Sequence, residues 1–316
     1  MAVVPRASAH RIPCVVLGLA ALLLLPGFLL VRAPWTAVPF LSLFFWIASW
    51  WWLPSVGRGR FLAGALVAFS LLAVFRLVRF EPARPSWPSL LTVAAALLRA
   101  SAGLVPLAGA GAPLDLIPAQ LMVWHDGLPL TYVPLREAGN FGAHPHGVDA
   151  LAADLSLLSG LAVPRTIRLA AALARGLSSL GVYALLVRRL GPGSAALITA
   201  SIAVVVSLLE ALTGGGDPSW SLALGFVLTG AGLLVSGRSR AGAVAAGAFG
   251  GAALMTAPAV VAAGLAAGIV AAAWAWTRTS RETRGLLRRR LGLAAAAAIA
   301  TTAPYVLRVT LAFAGS

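Results

Sequence analysis

The chain has 316 residues, of which 60% are hydrophobic and 10% charged. A soluble domain carries about 25% charged residues, so this composition excludes a water-covered globule and makes lipid the main solvent. The net charge of +15 is carried by arginine alone, scattered through short breaks between apolar runs; with no basic patch interleaved with aromatics, nucleic acid is excluded as a partner and the arginines read as topology signals.

Apolar runs of spanning length fall at about 12–31, 36–54, 61–78, 89–110, 166–187, 194–212, 219–236, 241–256, 259–277 and 291–312. A bilayer core requires about 20 such residues per helix. The first run follows Arg6 and Arg11 as a signal peptide would. It is longer than an h-region of about 7–15 residues and lacks a small-x-small cleavage site, so it reads as a retained helix. Cys14, the only cysteine, allows neither an internal disulfide nor a cysteine metal site. Trp46, Trp50, Trp51 and Trp52 close the second run and read as an interfacial aromatic belt. The 37 uncharged residues at 241–277 would be about 55 Å long as one helix, which predicts a tight hairpin of two around Thr256, Ala257 and Pro258. Ala243, Gly247 and Gly251 recur every four residues, as do Gly264 and Gly268. Small residues at that spacing let helices approach closely. The expected fold is all-α: a polytopic bundle of about ten transmembrane helices with one large external loop. Residues 1–110 would carry the first four helices, 111–164 the loop with its interfacial helices, and 165–316 the last six.

Arginine placement orients this set. The richest break holds Arg278, Arg281, Arg284, Arg288, Arg289 and Arg290 and belongs in the cytoplasm. Arg238 with Arg240, Arg188 with Arg189, and Arg76, Arg79 and Arg84 then fall on the same side. Arg6, Arg11, Arg58 and Arg60 fall on the opposite side, against the rule. This orientation makes the chain a multi-pass cell-membrane protein with 111–164 and the turn at 214–217 external. Of the nine acids, Asp115, Asp126, Glu137, Asp149, Asp154 and Asp217 are then external, and Glu210 is near the outer end of its run. His125, His144 and His146 are external too.

The external segment has three parts. Residues 115–124 suit a short helix near the interface, with Asp115 as a possible cap. Residues 126–146 are rich in Pro and Gly. Residues 148–158 present Leu151, Leu155 and Leu158 at helical spacing and should rest on the bilayer or on other helices, with Asp149 and Asp154 capping and flanking a surface helix. Asp126-Gly127 is a good turn pair, and Asp217-Pro218 is a helix start with Asp as N-cap and Pro at N1. His125, His144 and His146 could hold a divalent metal (Mg or Mn) with Asp126, but no spacing ties them into a ligand set; solvated loop histidines are the simpler reading. Arg99 and Arg175 lie within apolar runs, where an arginine faces an aqueous cavity or pairs with an intramembrane acid.

The order Asp115, DGLPLTYVP and HPHGVDALAADLSLLSG resembles the GT-C membrane glycosyltransferases of the bacterial oligosaccharyl-, arabinosyl- and mannosyltransferase types. These place an aspartate early in a large external loop, just after a span. Pro26-Gly27, GGGDPSWSLALGF and the hairpin ending TAP are similar as well, so the resemblance covers most of the chain. It departs where relatives carry a His or a second acid shortly after the Asp, since Ile117 and Pro118 stand here. The resemblance implies transfer of a sugar from a polyprenyl-phosphate donor to a glycan, lipid or protein acceptor of the envelope. Asp115 would be the base, Arg99 and Arg175 would bind donor phosphate, and Asp126, Asp217 and the three histidines would serve the acceptor and loop. A non-catalytic subunit of the same type is the first alternative. A transporter or lipid-carrier flippase is the second; it calls for ionisable groups at mid-membrane in several spans, which few runs here contain.

Overall fold

The computed structural model describes residues 11–30, 34–53, 57–77, 86–104, 113–129, 141, 145–213, 216–236, 239–267 and 281–314, which are helical with no strand among them. In chain order these are α1 (Arg11–Leu30), a short 3-10 turn (Trp35–Ala37), α2 (Val38–Trp52), α3 (Arg58–Leu77), α4 (Trp87–Leu104), α5 (Pro113–Trp124) and α6 (Gly147–Ser159). They continue with α7 (Val163–Leu190), α8 (Pro192–Thr213), α9 (Pro218–Ser236), α10 (Arg240–Leu254), α11 (Pro258–Ala267) and α12 (Arg281–Ala314). Within the described residues each apolar run overlaps a helix, although 105–110 of the fourth run and 268–277 of the ninth lie outside them, and α5 and α6 occupy the segment between the fourth and fifth. Among the described residues four helices are long and apolar enough to cross a membrane: Val163–Leu190, Pro192–Thr213, Pro218–Val235 and Arg284–Leu311.

Helices in lipid gain little from burying apolar surface against each other, so close packing of small residues has to hold them. The α7–α9 contact shows this. A Cβ on Gly181 would come within 2.8 Å of the Gly225 carbonyl oxygen, and one on Gly225 within 2.8 Å of the Phe40 ring. Phe40, Phe226 and Phe249 then form an aromatic cluster, with centroids 5.5–6.1 Å apart, that joins α2, α9 and α10. The four-residue spacing in α10 serves as expected: Gly247 meets the backbone of Ala294, and Gly251 meets Thr301, both on α12. Gly264 faces Val227, while Gly268 lies outside the described residues.

Contacts sort the connections into two ends. At one end the Arg58 amide donates to the Asp126 carbonyl at 2.8 Å, and Gly147 packs on Thr256. At the other, Trp35 meets Tyr183 with centroids 5.9 Å apart, Gly193 lies against Trp87, and Arg290 Nη2 donates to the Leu233 carbonyl at 3.1 Å.

Two expectations are corrected. Helix α6 is not a surface helix: Asp154 is fully buried, and Val148, Ala150–Ala153 and Leu155 are 3% exposed or less, because α6 lies among α1, α2, α3, α5, α7 and α9. Nor do the tryptophans of α2 form a belt. Trp46, Trp50 and Trp51 are buried and only Trp52 is exposed. The indole N–H groups of Trp46 and Trp50 find acceptors in the core, the Leu22 carbonyl at 3.1 Å and Asp154 Oδ1 at 3.1 Å, which removes their need for an aqueous interface.

Candidate functional site

Helices α4, α7 and α8 pack against one another and bring three charged side chains together. Arg99 is on the C-terminal half of α4, Arg175 on the N-terminal half of α7, and Glu210 in the last turn of α8. Arg99 Nη1 is 2.8 Å from Glu210 Oε2, and their side chains are only 5% and 14% exposed. Arg175 Nε is 3.9 Å from the same oxygen, and Arg175 Nη2 donates to the Gly216 carbonyl at 3.0 Å. Gly216 lies close to the carboxylate: a Cβ there would come within 3.3 Å of Glu210 Oε1.

Two guanidinium groups therefore share one carboxylate, leaving a surplus positive charge. The pairing is mainly coulombic, because Arg99 Nη1, Arg175 Nε and Glu210 Oε2 are buried without an aligned hydrogen bond among the described residues. Arginine forks match the oxygens of a phosphate or carboxylate, so the cluster is suited to a further anion. It also realises the alternative that the sequence left open, pairing with an intramembrane acid.

The residues of the 111–164 segment are deployed differently. Asp126 adopts a left-handed backbone (φ 46°). Its Oδ1 accepts from the Gly59 amide at 2.6 Å and its carbonyl from the Arg58 amide at 2.8 Å. It caps α3, a helix 67 positions away, as well as making its own turn. His146 is 3% exposed, which corrects the solvated-histidine reading. Its Nδ1 is 3.0 Å from Asp149 Oδ2, its Nε2 is 2.9 Å from the Phe141 carbonyl, and its ring stacks on Phe141 at 4.1 Å. Asp149, in the first turn of α6, thus ties that turn to its entry loop. His125 is exposed at the end of α5. Asp217 is the N-cap of α9, its Oδ1 accepting from the Ser219 amide at 2.7 Å. Asp115 falls in the first turn of α5, but its side chain and all of His144 lie outside the described residues. Among the described residues no group of three His, Cys, Asp or Glu side chains could hold a metal ion.

Sequence reasoning missed a second charged centre. Arg58 Nε and Nη2 donate to Asp154 Oδ1 and Oδ2, both at 2.8 Å. Its other bonds go to Ser49 Oγ at 2.8 Å and the Trp46 carbonyl at 3.0 Å, and the guanidinium lies over the rings of Trp50 and Phe61. Burial pushes the Asp154 carboxyl above the ordinary carboxylate range, while Arg58 and the hydrogen bonds from Arg58 and Trp50 pull it back. Every polar atom of this pair that can be counted is used, so it has no capacity for a ligand. The available signal was Arg58 itself, an arginine on the side that the charge rule disfavours.

No family model, no curated protein and no solved structure matches the chain.

Proposed function

We propose that the chain crosses the membrane about ten times and acts on its outer face as a GT-C-like glycosyltransferase. It would move a sugar from a polyprenyl-phosphate donor to an envelope glycan, lipid or protein. The observation that carries this reading is the cluster of Arg99, Arg175 and Glu210. A surplus positive charge held between apolar helices suits a lipid-linked phosphate better than a water-soluble anion, because the lipid tail stays in the bilayer. In the transfer, the acceptor hydroxyl attacks the anomeric carbon as its proton passes to the Asp115 carboxylate. The bond from that carbon to the phosphate oxygen breaks, and the leaving phosphate keeps the electron pair. Arg99 and Arg175 neutralise the charge gained there.

The test uses membranes containing the full chain and a radiolabelled polyprenyl-phosphate sugar. Asp115→Asn lowers transfer by about 100-fold or more, and Arg99→Gln raises the KM for donor. Undiminished transfer by Asp115→Asn removes Asp115 as base. A second reading, a non-catalytic subunit of the same type, is favoured by the use of Asp126, Asp149, Asp154, His146 and Asp217 in caps and pairs. It predicts no transfer by the purified chain and restoration of transfer when a catalytic partner is added.

A further inference from the structure

At the end of the bundle away from the Arg99 cluster lies a cavity of about 230 Å³. Its wall comes from the 3-10 turn before α2 and from α7 and α9, and is largely apolar: Trp35, Ala37, Ala184, Val187 and Leu233. Three features depart from that character. Thr229 lines the cavity and is 1% exposed, yet its hydroxyl has no hydrogen-bond partner among the described residues. A helical threonine often bonds a carbonyl one turn back, as Thr92, Thr301 and Thr302 do here; the hydroxyl of Thr229, like that of Thr199, does not. Buried Tyr183 and half-exposed Trp35 lie against each other in the lining. Arg188, in the last turn of α7, contributes to the lining and is exposed.

We infer that this cavity binds the glycerol-phosphate end of an anionic phospholipid. An apolar wall accepts the start of an acyl chain. A buried hydroxyl donor is satisfied by an ester carbonyl, which has acceptors only. An arginine at the rim attracts the phosphate and its negative charge. Aromatic side chains such as Trp35 and Tyr183 reside where a membrane passes from apolar to wet. A soluble anion would leave the apolar wall unused, and a plain hydrocarbon would leave the Thr229 hydroxyl unpaired at a cost. The site is remote from Asp115 and does not depend on the glycosyltransferase reading.

The experiment is native mass spectrometry of the full chain in detergent, titrated with phosphatidylglycerol and, separately, phosphatidylcholine of the same acyl chains. Wild type retains phosphatidylglycerol at lower added concentration than phosphatidylcholine. Arg188→Gln weakens phosphatidylglycerol binding about tenfold and abolishes the preference. Thr229→Val, which keeps the shape and removes the hydroxyl, weakens both lipids severalfold. Arg189→Gln removes the same charge one residue away, from a side chain that does not line the cavity, and leaves binding unchanged. Equal retention of the two lipids by wild type overturns the proposal. So does an equal loss in Arg189→Gln and Arg188→Gln, which would mean diffuse attraction to a basic surface. Unchanged binding in Thr229→Val overturns the cavity as the seat. Thermal unfolding of each variant separates a lost site from a lost fold.

Discussion

Arg58 and Asp154 show what a single residue pair does in this bundle. An arginine with 2% exposure would be ruinous alone, and here its donors meet a carboxylate, a serine hydroxyl and a carbonyl. Breaking one side of such a pair leaves an uncompensated buried charge, whereas replacing both sides with apolar groups removes the desolvation cost together with the attraction. Asp154→Asn should therefore destabilise the protein by about 3–5 kcal/mol. The double variant Arg58→Met with Asp154→Leu should recover most of that loss, both measured as unfolding midpoints in detergent. A double variant no better than Asp154→Asn would mean that the hydrogen bonds to Ser49 and Trp46, rather than the charge, fix the structure. The pair was illegible in the sequence because its members are 96 positions apart and no local pattern links them. Asp217 was legible, because an N-cap acts on its own next turn. Asp126 was half legible: Asp-Gly announces a turn, but not that the same carboxylate caps α3.

Helices were the most readable level. Within the described residues hydropathy alone placed apolar runs where helices lie, since a chain without water must satisfy its backbone internally. Helix α6 was misjudged because its leucines mark one face, while its remaining sides are closed by Gly147, Ala150, Ala152 and Ala153, small residues whose burial leaves no periodic signal. The α10–α12 contact depends on the same kind of residue. A Cβ on Gly247 would overlap the carbonyl of Ala294, whereas one on Gly250 would meet nothing within 4 Å. Alanine is favoured over glycine within a helix by roughly 0.5–1 kcal/mol. Gly250→Ala should accordingly stabilise the protein slightly. Gly247→Ala should destabilise it by about 1–3 kcal/mol through overpacking and expose the α10 face to proteolysis. Equal effects at the two positions would show that α10 and α12 do not pack at this distance in the membrane.

At the scale of the whole molecule, the proposed ten crossings meet their sharpest test at α10 and α11. Helix α10 has 15 residues, or about 22 Å at 1.5 Å each, less than the hydrocarbon core of about 30 Å. Two arrangements fit that length: α10 and α11 both cross, or they dip in together and return to the side they left. Contacts put the two ends of α10 at opposite ends of the bundle. The start of α10 lies by Leu233, near the end of the bundle where Arg290 sits, and the turn after α10 carries Thr256 against Gly147 at the opposite end. Arg58, neutralised by Asp154, no longer counts as a free positive charge against the expected orientation, while Arg6, Arg11 and Arg60 still do. With Cys14 replaced by Ser, single cysteines introduced as Gly139→Cys, Pro258→Cys and Arg284→Cys can be probed on intact cells with a membrane-impermeant thiol reagent. Gly139→Cys and Pro258→Cys should label from outside, and Arg284→Cys only after permeabilisation. Labelling of Gly139→Cys and Arg284→Cys from one side would overturn the orientation. Protection of Pro258→Cys alone would make the pair a re-entrant hairpin and reduce the crossings by two. Because Thr256 packs on the first residue of α6, that result would also draw the start of α6 into the bilayer and away from the outer surface on which the proposed transfer depends.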